Sequence, residues 1–115
     1  TTFGGHPINC AASLTTLQYL LSTDIMQEVE KKEQLFRKHL THPRIKEVRG
    51  NGLMLAIEFE NEELAQKVVA ESLEKGLILF YFLFTKTAIR ITPSLTISEK
   101  EIIEGCNIIK QILDK

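Results

Sequence analysis

Ala88-Ile89-Arg90-Ile91-Thr92-Pro93-Ser94-Leu95-Thr96-Ile97-Ser98 decides the fold, because it ends a strand, holds one cation inside it and starts a helix. Ala88, Ile89 and Ile91 suit a buried or half-buried strand. Pro93 cannot donate to a ladder, so the strand ends near Thr92. Arg90 is then held on rigid backbone, where a guanidinium is costly unless an anion meets it. That anion is a carboxylate of the protein or of a ligand, and the planar fork of Arg suits either. The other outcome is a head group that reaches solvent on its flexible stem. Downstream, Ser98-Glu99-Lys100-Glu101 is a capping box with Ile97 and Ile102 as its hydrophobic staple. Ile102, Ile103, Cys106, Ile109, Ile112 and Leu113 then share one face of the last helix.

Working back from that stretch, Leu77-Ile78-Leu79-Phe80 reads as a strand. Tyr81-Phe82-Leu83-Phe84 is too apolar for a free loop and is expected to pack on a neighbouring domain or subunit. Asn61 caps a helix from Glu62 to Lys75 that carries Leu64, Ala65, Val68, Val69 and Leu73 as its stripe and stops at Gly76. Ile45 to Arg49 and Leu53 to Phe59, joined by Gly50-Asn51-Gly52, read as a β-hairpin. Ile8 to about Ser22 is a helix, buried or interfacial, begun by Pro7. Asp24 caps a second helical stretch or marks a kink, and the pattern of Ile25, Val29, Lys32 and Leu35/Phe36 runs on to about Leu40. The order is helix, helix, strand, strand, helix, strand, strand, helix. This predicts an α+β fold: a long N-terminal helix, then a small antiparallel or mixed sheet covered on one face by helices. Within one domain over 1–115, the divisions are a lead-in arm at 1–6, a helical segment at 7–40 and an α+β part at 44–115.

With 115 residues there is room for one core. A net charge of −1, from 14 basic and 15 acidic residues, gives no footprint for nucleic acid or an acidic membrane surface. The 43% hydrophobic and 25% charged fractions exclude disorder as a whole-chain reading. The longest apolar run, from Leu77, is far short of the ~20 residues that span a bilayer, and a cytoplasmic location is expected. The chain begins at Thr1 inside what reads as a motif, which points to a piece of something longer.

A self-contained catalytic set is not written here. Cys10 and Cys106 form no CxxC and no cluster with His6, His39 and His42, so neither a metal site nor a redox motif is expected. His39 and His42 read as exposed helix-end residues that favour the helix dipole. No nucleophile stands beside a base, and the catalytic residues are expected to be none. Thr1 and Thr2, with the free backbone N–H groups ahead of the first helix, form a plausible anion contact. Thr2 and Arg90 are thus two candidate anion contacts far apart in sequence, which fits a binding surface better than a complete enzyme.

Three motifs together resemble the C-terminal part, mainly the small domain, of the class III aminotransferases. They are Thr2-Phe3-Gly4-Gly5-His6-Pro7 followed by Cys10-Ala11-Ala12, then Arg49-Gly50-Asn51-Gly52-Leu53-Met54, and Arg90-Ile91-Thr92-Pro93-Ser94-Leu95-Thr96-Ile97. These are fold-type I pyridoxal-phosphate enzymes and include the ornithine, acetylornithine and 4-aminobutyrate aminotransferases. The resemblance covers essentially the whole chain. It implies that Thr2 crosses a dimer interface to bond the cofactor phosphate in the other subunit, and that Arg90 pairs with the substrate carboxylate. It implies as partners the large cofactor-binding domain of the same protein, a homodimer partner, and an amino acid and 2-oxo acid.

The resemblance places the lysine that carries pyridoxal phosphate, and the groups that hold its ring, in a large domain that precedes Thr1. The chain is then expected to be catalytically incomplete alone and to bind no cofactor alone. The run Phe80 to Phe84 is more aromatic than in the commonest members. Two readings of other classes stand beside this one: a stand-alone amino-acid-binding module in which Arg90 meets a free ligand without catalysis, and a dimerisation module built on the first helix and the apolar run.

Overall fold

Residues 2–115 are described in a computed structural model, and the helix and strand order read from the sequence holds across it. The elements are α1 (Pro7–Ser22), a 3-10 turn (Asp24–Met26), α2 (Glu28–His39), β1 (Ile45–Asn51), β2 (Met54–Phe59), α3 (Glu62–Glu74), β3 (Phe80–Tyr81), β4 (Ala88–Ile91) and α4 (Glu99–Leu113). The four strands form one sheet in the order β1-β2-β4-β3, and every pair is antiparallel. The fold class is α+β, with the antiparallel alternative realised. Asp24 marks a kink rather than a cap, because the 3-10 turn separates α1 from α2.

Alternation along the strands sorts the side chains between two faces. Leu55 and Ile57 of β2 stand opposite Ile91 and Ile89 of β4, and these four share one core with Phe59, with Phe36 of α2, Leu64, Ala65 and Val68 of α3, and Ile102, Cys106, Ile109, Ile112 and Leu113 of α4. The other face carries the row Arg49, Ala56, Arg90 and Phe80, one residue from each strand in register order. Arg90 therefore points away from the core, on a strand flanked on both sides.

Two parts of the sheet differ from expectation. β1 runs on to Asn51, and Gly50 lies inside it rather than in the turn. Its φ of +120° is open to glycine, and an added Cβ would lie 2.1 Å from the Met54 carbonyl oxygen, so no other residue fits there. The strand expected at Leu77 to Phe80 shrinks to Phe80 and Tyr81. Leu77 N–H is taken by the Ser72 carbonyl at the end of α3, and Pro93 removes the donor that would have extended the ladder past Ile91.

The stripe of α3 also shifts. Leu73 is exposed and Ser72 is fully buried in its stead. Helical spacing explains it, since 72 lies four residues beyond Val68 and eight beyond Leu64, whereas 73 turns off that face. The Ser72 hydroxyl finds no partner there. The buried alternative for α1 is not realised either: none of its residues is buried within this chain.

Candidate functional site

The end of the β1–β2 hairpin, from Gly50 to Gly52, sits where it does because α2 clamps it. Glu33 and Arg37, one helical turn apart, pair at 2.8 Å. Arg37 also donates from Nη1 to the Val48 carbonyl at 2.5 Å and from Nη2 to the Gly50 carbonyl at 2.9 Å. Glu33 accepts the Gly52 N–H at 2.6 Å. Arg37 first, and then that N–H, hold the Glu33 carboxyl below the usual carboxylate range. The hairpin so fixed places Ala56 beside Arg90 of β4, with Arg49 one strand further out.

On the outward face, Arg49 Nη2 meets Glu58 Oε2 at 2.7 Å, and Glu58 also accepts the Thr87 hydroxyl. The Thr87 bond and then Arg49 lower the Glu58 carboxyl, so this pair is satisfied within the chain. Arg90 is the contrast. Its side chain is exposed, makes no ion pair or hydrogen bond among the described residues, and lies over the Phe80 ring, with Cζ 5.3 Å from the ring centroid. The sequence left open whether a protein carboxylate, a ligand or solvent meets this cation. Among the described residues no protein carboxylate does.

At the other end of the chain, Thr2, Phe3, Gly4, Gly5, Asn9, Cys10 and Ser13 line an open depression of about 540 Å³ at the start of α1. Gly5 has φ +79°, which closes the turn into the helix. His6 takes the N-cap position without a side-chain bond, and the first turn holds no acid. The leading N–H groups of α1 consequently keep a partial positive charge. A hydroxyl, flexible glycine backbone and free N–H groups suit a phosphate. Arg90 lines a separate cleft, of about 110 Å³, so the two candidate contacts do not share a cavity.

Thr2 and Arg90 could each meet an anionic group, a phosphate and a carboxylate respectively, and the other reactive side chains are engaged elsewhere or unreactive. The buried lysine, Lys32, is engaged by the Leu95 carbonyl at 2.7 Å and by Glu28 at 2.9 Å. Cys106 is buried, and desolvation pushes its thiol up to about 12, which removes it as a nucleophile. His42 is half-buried rather than exposed, with its Nε2 3.1 Å from Asp114 and its Nδ1 accepting the Arg44 N–H, so its role is to tie the α2 to β1 link to the C-terminal end. Among the described residues there is no group of three or more His, Cys, Asp or Glu that could hold a metal ion. No helix of the described residues is long and apolar enough to cross a membrane.

Two contacts escaped the sequence. The Glu33 and Arg37 clamp had a visible signal in its four-residue spacing on a helix. The Phe80 and Arg90 stack had none, because ten residues of chain separate the two and only the register of β3 on β4 brings them together.

The family model for class-III aminotransferases matches residues 1–113. The acetylornithine aminotransferase of Caldanaerobacter subterraneus subsp. tengcongensis is 34% identical over 120 residues, covering 100% of this chain and 30% of that protein. The 4-aminobutyrate aminotransferase of Mycobacterium leprae is 33% identical, over 97% of this chain and 28% of its own length. Among solved structures, the ornithine aminotransferase of Toxoplasma gondii superposes with a TM-score of 0.83 at 30% identity, over 99% of this chain and 28% of that one. The chain spans 28–30% of the length of these relatives.

Proposed function

This chain belongs to the class-III aminotransferase family, and from that premise we propose that it is the C-terminal segment of a pyridoxal-phosphate enzyme. The parent reaction moves an amino group between an amino acid or amine and a 2-oxo acid. In this reading residues 1–6 form an arm, 7–40 a connecting helical segment and 44–115 the small domain. A large cofactor-binding domain completes the polypeptide. Relatives more than three times as long as the matched stretch fit a segment of a larger polypeptide.

The observation that carries the proposal is Arg90. It is a cation fixed on β4, between two other strands, and among the described residues no anion meets it. Two parallel N–H donors of the guanidinium take the two oxygens of a substrate carboxylate, which fixes both the position and the rotation of the bound molecule. Thr2 contributes its hydroxyl to the cofactor phosphate of a second subunit, with the free N–H groups of α1 beside it. Pyridoxal phosphate, when bound, supplies the electrophilic carbon that accepts the amino group and the electron sink that lets a proton leave. Neither Thr2 nor Arg90 moves a proton. Both position charged groups, and the acid–base work belongs to residues outside this chain.

The apolar, uncharged surface of α1 and the exposed Leu83 and Phe84 are covered in this reading by the large domain and the partner subunit. The location expected is the cytoplasm.

The test is Arg90→Gln in the longer polypeptide, assayed with an amino acid donor and with an amine that lacks a carboxylate. The variant is expected to lose about 100-fold in kcat/KM for the amino acid, the size of a lost charge-assisted pair, and little for the amine. Equal losses with both donors would mean that Arg90 does not read the carboxylate.

A further inference from the structure

Phe80 is an odd residue to find where it is. β3 is two residues long, and both of its side chains are exposed, Phe80 at 52%. The strand adds nothing to the core, yet its register sets Phe80 directly opposite Arg90 in an antiparallel pair. Directly opposed side chains leave the sheet on the same face. Here the guanidinium carbon lies 5.3 Å from the ring centroid, inside the range in which a cation is held by the ring's negative face.

The other three arginines show what this arrangement avoids. Arg37 donates to Glu33 and two carbonyls, Arg44 to the Leu113 carbonyl, and Arg49 to Glu58. Each has its N–H edge occupied by an oxygen. Arg90 instead lies over the Phe80 ring and makes no hydrogen bond to an oxygen among the described residues. The attraction of the ring is for the cation as a whole, and it gives the five N–H donors no acceptor oxygen. On the opposite side, Arg90's cross-strand neighbour is Ala56, which reaches no further than its Cβ and leaves the edge open.

We infer that Phe80 is the positioning residue of Arg90: its ring holds the guanidinium in place while the N–H donors stay free for a carboxylate. The inference rests on the carboxylate role proposed for Arg90 and adds how that group is kept ready when no ligand is bound. Ordering Arg90 in advance removes part of the side-chain entropy otherwise lost on binding.

The experiment uses the 115-residue chain labelled with 15N and 13C, with acetate as the probe, and compares wild type with Phe80→Leu, Phe80→Tyr and Arg90→Gln. The Arg90 signals are identified by their loss in Arg90→Gln. In wild type the Arg90 Hδ protons are expected to show the upfield shift of a proton over a ring, and the Nε–H signal to move on addition of acetate. Phe80→Leu is expected to abolish the Hδ shift and raise the acetate concentration at half-saturation about threefold, the scale of an exposed cation–π contact. Phe80→Tyr, which keeps the ring face, is expected to retain both, whereas Phe80→Leu keeps an apolar side chain at the sheet edge and loses both.

An Arg90 signal that responds to acetate equally in wild type and Phe80→Leu overturns the positioning role and leaves the carboxylate role standing. An Arg90 signal that ignores acetate in wild type overturns the carboxylate role and the positioning role with it. A ring-current shift that survives Phe80→Leu, or one that is absent from wild type, shows that the Phe80 ring does not hold the group, and overturns the inference at its first step.

Discussion

α1 and α4 are helices of nearly equal length, 16 and 15 residues, and they lie at opposite extremes. α4 buries Ile102, Cys106, Ile109, Ile112 and Leu113 against the sheet, and its remaining surface carries lysines and glutamates. Its first turn is closed by a full capping box, with the Glu101 N–H donated to the Ser98 hydroxyl at 3.2 Å and the Ser98 N–H to the Glu101 carboxylate at 2.8 Å. α1 has no Asp, Glu, Lys or Arg, no side-chain cap and no buried residue, while Ile8, Leu14, Leu17 and Leu21 stand more than half exposed. One helix is complete in this chain. The other has the composition of a covered helix and, among the described residues, no cover, which is how a segment built to pack on further polypeptide looks when it is seen by itself.

Substitutions that mean the same thing chemically should therefore behave differently in the two helices. Ile102→Ala is expected to destabilise the 115-residue chain by about 3 kcal/mol in urea unfolding, because a fully buried side chain leaves a cavity. Leu17→Ala in α1 should stay within about 0.5 kcal/mol. A similar loss from both would mean that α1 is packed in this chain after all. At the helix starts, Ser98→Ala should cost about 1 kcal/mol, whereas His6→Ala should leave the urea midpoint unmoved, since His6 makes no cap bond.

The smallest effect is one of pH. The Ser98 hydroxyl and then its backbone N–H hold the Glu101 carboxyl below its ordinary value. A carboxyl lowered by folding contributes stability that is present above its unfolded value, about 4.3, and is lost as the pH falls through the folded one. Glu101→Gln should remove that part of the acid sensitivity, giving a flatter stability profile below about pH 5 than wild type. A profile as steep as the wild type's would take Glu101 out of the cap in solution.

The contrast between the helices also explains what could be read from residues alone. α4 was legible to within a residue because its signals are local: a cap, a charge three residues on, and an apolar face of one period. The hairpin and the cap at Asn61 were legible for the same reason. Ser72 rather than Leu73 faces the core because helical phase from Leu64 and Val68 sets the face whatever the hydrophobicity of the residue. β3 is shorter than its residue types suggest because the Leu77 N–H is taken by the helix end before it and the partner strand stops short of Pro93. Of the candidate site, Arg90 was visible as an anomaly, a cation in an apolar strand. Its stacking partner was not, since cross-strand register between segments ten residues apart is a property of the folded sheet. For α1, the apolar residues suggested a buried or interfacial helix, and none of its residues is buried within this chain.

Hydrogen–deuterium exchange of the 115-residue chain and of the longer polypeptide that carries it tests this most directly. In the short chain, α4 amides are expected to be protected roughly a thousandfold or more and α1 amides to exchange close to the unprotected rate, with α1 rising to the protection of α4 in the longer polypeptide. Protection of α1 equal to that of α4 in the short chain, or an α1 as open in the longer polypeptide as in the short one, would contradict the claim that α1 is completed from outside these residues.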